Sequence, residues 1–177
     1  MPAMKFRRSL PAFLVPLLLV ACSQPEPQPA PVKPAVVVDP VGAVHRIRTA
    51  GDGLDSAVQV QPLRDPAIDG FLTRAHSAEA AKNFTAALEA ADAALKLAPD
   101  APDIVQYIAE LEIGRGDWQR AETFAVRSYS LGPKVGSLCA RNWQTVVEAR
   151  TAMDDAAEVA KAKQRLKDCR VPPRVRM

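Results

Sequence analysis

The chain has 177 residues, a formal net charge of +3, 16 prolines, 3 cysteines and 2 histidines. Lys5, Arg7 and Arg8 precede an apolar run at the N-terminus, and without that segment Lys and Arg fall from 23 to 20 against 20 acids, which removes the net basic balance that nucleic-acid binding requires. His45 and His76 have no second ligand at metal spacing, and no nucleophile–base pattern or phosphate-binding glycine loop is present, so neither a metal, another cofactor nor catalysis is expected.

The first element in chain order is a secretory signal. Its apolar core, residues 10–20, is interrupted by Pro11 and Pro16 and is too short to span a bilayer as a stable helix. It ends Leu19-Val20-Ala21-Cys22, which resembles the lipobox of bacterial lipoproteins. The resemblance implies that residues 1–21 are removed and that Cys22 is acylated, with several acyl chains holding durably where one holds only reversibly. Ser23, rather than aspartate, follows the cysteine; in the Gram-negative lipoproteins that the chain resembles, this implies sorting to the outer membrane, facing the periplasm.

Residues 22–64 read as a tether. From Ser23 to Pro66 the chain carries Pro25, Pro27, Pro29, Pro31, Pro34, Pro40, Pro62 and Pro66, half of the 16 prolines, and such a stretch is expected to form neither a helix nor a core. As polyproline II it would extend roughly 135 Å, and as a flexible coil roughly 35–40 Å. Within it, AVHRIRTAGDGLDSAVQVQPL places short alternating runs on both sides of Gly51-Asp52-Gly53. These fit either a small hairpin leaning on a larger body or a linker with incidental alternation.

From Asp65 onward the pattern becomes alanine-rich and helical, and it repeats. Ala75 and Ala109, Phe84 and Trp118, Ala87 and Ala121, Leu97 and Leu131, and Pro99 and Pro133 are all separated by one 34-residue offset. The period and these residues resemble the tetratricopeptide repeat (TPR), in which small residues let paired helices approach and proline ends the second helix. Helices are expected at about 66–80, 84–97, 102–114 and 117–131. A third unit contains a short insertion near residues 134–136; Trp143, Val146 and Val147 then face Val159, Ala162, Leu166 and Cys169. The expected fold is all-α, a TPR-like stack of about three repeats and six helices over residues 65–169, followed by a basic tail, 170–177. Cys139 and Cys169 share the apolar stripe of the last unit, either as a disulfide in an oxidising compartment or as two buried thiols.

A TPR stack usually turns its first helices toward a concave face, which here implies a partner-binding surface of Leu72, His76, Glu79, Gln106, Glu110, Arg141, Gln144 and Glu148. Its glutamates and amides suit a partner rich in basic or donor groups. Lys161, Lys163, Arg165, Lys167, Arg170, Arg174 and Arg176 stand against Asp168 alone near the C-terminus, as expected of a helix end or of a contact with acidic groups. Lipobox, proline-rich tether and small TPR head together resemble outer-membrane lipoproteins that activate bifunctional penicillin-binding proteins. The resemblance implies a monomeric adaptor whose head reaches such a synthase through the cell wall. A pilotin-like escort for a secretin or pilus component, and a structural wall-associated lipoprotein, share the same features.

Overall fold

Asp39-Pro40 and Asp65-Pro66 each place a side-chain acceptor at an N-cap and a pre-set φ at the first helical position. The computed structural model, which describes residues 37–54 and 64–170, starts a helix at both. Cys22, the signal, the first part of the tether, residues 55–63 and the tail from residue 171 lie outside the described residues. Seven helices and no strand are present among the described residues: α1 Pro40–Thr49, α2 Pro66–Ala80, α3 Phe84–Leu97, α4 Pro102–Arg115, α5 Trp118–Leu131, α6 Ser137–Ala152 and α7 Ala156–Asp168.

Helices α2 to α7 form three antiparallel hairpins with one recurring turn. Lys82, Gly116 and Asp154 take left-handed backbone at φ 58°, 84° and 56°. The following Asn83, Asp117 and Asp155 cap the second helix of each hairpin, accepting from the amides of Ala86, Arg120 and Glu158. Their own amides donate back to the carbonyls of Ala78, Glu112 and Arg150 at 2.9, 2.9 and 3.0 Å. This turn recurs after 34 residues and then after 38, the longer step absorbing the insertion before α6. The fold is a TPR-like helical stack.

The core follows from the small residues. Ala75, Ala87, Ala91 and Ala94 are fully buried with Ile104, Ile108 and Leu111 between the first two hairpins. Ala109, Ala125 and Ala162 do the same beside Val146 and Val147, with Trp143 and Val159 packed against them. Because Lys82 carries a side chain in a conformation that costs a non-glycine residue about 1–2 kcal/mol, and because Gly116 holds the equivalent place, Lys82→Gly is expected to stabilise the protein by about 0.5–1 kcal/mol after the entropy cost of glycine. A urea titration checks the sign.

The seventh helix corrects the sequence reading, which gave residues 40–49 to a helix-free tether with a hairpin or linker at 41–64. Two features override the proline content. Pro40 sits where its missing amide costs nothing, with Asp39 accepting from the Val41 and Gly42 amides at 3.1 and 2.8 Å. Ala43 and Ile47, one helical turn apart, are fully buried against Ile113, Ala121 and Ala149. α1 runs antiparallel to α6: Val38, Val44 and Met153 join the cluster at one end, and Gly51 lies against Ser137 at the other. A Cβ on Gly51 would come within 3.0 Å of the Ser137 carbonyl oxygen, so only glycine allows this approach. Leu54 then reaches the cluster formed by Cys139, Ala140 and Cys169.

Cys139 and Cys169 are joined as a disulfide 30 residues apart in sequence. The bond ties the start of α6 to the end of α7, beside a hydrogen bond from the Gly136 amide to the Cys169 carbonyl at 2.8 Å. A loop of that length corresponds to roughly 3–4 kcal/mol in the chain-entropy account. Cys139→Ser/Cys169→Ser is expected to lower the melting temperature, and reductant to lower the parent to the same value; a melt insensitive to both would contradict it.

Candidate functional site

The first helices of the three hairpins, α2, α4 and α6, share one face, and the residues expected to bind a partner lie along it. That face is closed rather than open. Gln106 and Glu110 are fully buried and Glu148 is 5% exposed, because α1 lies over α4 and α6 and delivers its own cations to them. Arg46 grips Glu148 in a bidentate pair at 2.9 and 2.8 Å. Arg48 bridges two helices, donating to Glu110 at 2.9 Å and Glu79 at 2.7 Å. Arg141, from α6, donates to the other oxygen of Glu110 at 2.9 and 2.5 Å.

Amides and hydroxyls complete the seam. Gln106 donates to Glu110 at 3.1 Å and to Thr145 at 2.9 Å, and Gln144 donates to Glu148 at 2.7 Å. Tyr107 donates to Glu79 at 3.0 Å, with the His76 ring 4.5 Å from its own. Three carboxylates thus meet three guanidiniums, and charge balances within the seam. The hydrogen bond to Glu148 holds the Arg46 pKa above its ordinary value against the opposing effect of burial. For Arg48, burial is the largest effect and works against the charge, but the hydrogen bond to Glu110 and the carboxylates of Glu110 and Glu79 together outweigh it and raise the pKa. Burial first, and then the Glu79 carboxylate, push the Tyr107 hydroxyl above its usual range.

The structure brings Glu79, Gln106, Glu110, Arg141, Gln144 and Glu148 together as an internal network. His76 remains 62% exposed at the edge, and Leu72 is partly buried against the core of the first hairpins. The basic, donor-rich groups that this face suits are supplied by the chain itself. Arg46 and Arg48 were the residues missed; the available signal was the Asp39-Pro40 start followed by Ala43 and Ile47 one turn apart. A second network lies on the outer side of α4, where the buried Glu112 pairs with Arg115 at 2.6 Å and Arg120 at 2.8 Å. No helix among the described residues is long and apolar enough to cross a membrane.

No family model matches the chain, and comparison with curated proteins finds no match. Among solved structures, the chain is similar to the globular C-terminal domain of P. aeruginosa LpoP, with a TM-score of 0.56 and 27% sequence identity, over 59% of this chain and 99% of that one.

Proposed function

We propose that this chain is a lipoprotein adaptor, acylated at Cys22 and held at the outer membrane, whose periplasmic head binds and activates a bifunctional penicillin-binding protein. The observation that carries the reading is the similarity of the head to the LpoP domain, almost the whole of which is covered. It is supported by the lipobox-like Leu19-Val20-Ala21-Cys22 and by the prolines between that cysteine and the head. In this reading the adaptor works as a monomer, without a cofactor and without chemistry of its own.

Because α1 lies over α4 and α6 and pairs with Glu79 of α2, the synthase engages an outer surface of the head. The reach of the tether belongs to the residues before α1, so a shortened tether must spare residues 37–54 to test reach rather than folding. The direct test is glycan polymerisation from lipid II by the purified synthase of the same bacterium, with and without this protein. A several-fold rate increase is expected, and an unchanged rate would sink the reading. Loss of an assembled secretin on deletion of the chain would favour the pilotin-like alternative instead.

A further inference from the structure

α7 presents Lys163, Leu166 and Lys167 at i, i+3 and i+4, the spacing of one helical face, and Arg170, two residues past its end, lines the same hollow. Opposite them stand Ala50 at the end of α1 and Leu54 just beyond it, and between the two sides lies an open cleft of about 550 Å³. Leu54 and Leu166 form its apolar floor, and both pack onto the Cys139–Cys169 cluster, which fixes their positions. The rim is cationic. None of Lys163, Lys167 and Arg170 forms an ion pair among the described residues, whereas Arg46, Arg48, Arg115, Arg120, Arg141 and Arg150 are each neutralised by a carboxylate. The nearest acid on the helix, Asp168, accepts from Gln164 at 3.1 Å on the adjoining face.

Cations at a helix C-terminus are favoured by the helix dipole. The dipole does not account for a hollow with two leucines between those cations. We propose that this cleft is a docking site for an acidic peptide segment of a partner protein, with one bulky apolar side chain seated on Leu54 and Leu166 and flanking carboxylates meeting Lys163, Lys167 and Arg170. Charge selects this occupant. The chain's own residues 171–177, VPPRVRM, carry two arginines and no acidic side chain, and residues 55–63 carry Asp55 alone. The inference rests on the adaptor reading only in that the occupant is a protein.

The test is selection of displayed random peptides on the full chain in detergent, followed by binding to Lys163→Glu/Lys167→Glu/Arg170→Glu. All three residues are exposed, and the neutral triple glutamine variant repeats the measurement with less perturbation. Enriched peptides are expected to place Asp or Glu on both sides of a large apolar residue. They are expected to bind the glutamine variant about tenfold more weakly, the effect of three exposed ion pairs, and to weaken with salt. No enrichment, or variants that bind the peptides as tightly as the parent chain, would overturn the proposal. So would peptide binding that appears only when residues 55–63 are replaced by glycine and serine, which would make that segment the occupant. A dimer that the charge reversal splits would make the occupant a second copy and overturn it equally. Peptide binding needs no synthase, so it fails or succeeds separately from polymerase stimulation.

Discussion

Glu110→Ala is expected to destabilise the head by about 3–5 kcal/mol, the cost of removing one partner from a buried ion-pair network. The side chain is fully buried and accepts from Gln106, Arg48 and Arg141. Its removal leaves the buried Gln106 amide without one acceptor and two guanidiniums facing each other over a cavity. Arg48→Ala should cost less, because that side chain is 42% exposed and can be partly solvated in its absence. Glu110→Gln keeps the volume and tests charge alone. Urea denaturation at neutral pH measures all three, and a Glu110→Ala loss below about 1 kcal/mol, the range of an exposed pair, would mean the seam is open to water. By the same argument, joint charge reversal of Glu79, Glu110 and Glu148, which on a solvent-facing groove would leave helicity intact, is expected to unfold the head.

Ile47→Asp is expected to cost about 4 kcal/mol or more, since it deletes a fully buried side chain and sets an unpaired carboxylate in its place. The consequence extends beyond one contact. If α1 lifts away, Arg46 and Arg48 leave with it, and Glu79, Glu110 and Glu148 lose cations from the same helix. Ile47→Val, by contrast, should cost only about 0.5–1.5 kcal/mol. Limited proteolysis separates a detached α1 from global weakening: cleavage within residues 40–54 should appear in Ile47→Asp while α4 remains intact. A variant as stable and as resistant as the parent would show that α1 contributes little.

The repeat was legible because its chemistry is local. Phe84 and Trp118 begin α3 and α5, and the alanines that share the 34-residue offset are those that bring helices together. Even the irregular third unit was readable, since Trp143 and Val159 keep an apolar pattern after the insertion. The helix α1 was not, because its ten residues hold only two fully buried side chains, and its proline content argued for a linker. A short helix of this kind is marginal alone; tertiary burial and ion pairing stabilise it, and neither is visible in a window of sequence. The cations of the site lie on that same helix. Spacing placed Glu79, Glu110 and Glu148 on one face, but sequence could not say whose cations would meet them.

Hydrogen exchange of the full chain, compared helix by helix, tests the closed face most directly. Amides in the second half of α1, whose hydrogen bonds include Ala50 to Arg46 at 3.1 Å, are expected to exchange only through the opening that releases α4. Equal protection in α1 and α4 is the result expected of a helix built into the head. Rapid exchange in α1 with α4 still protected would contradict it and return Glu79, Glu110 and Glu148 to the solvent-facing groove that an external partner could enter.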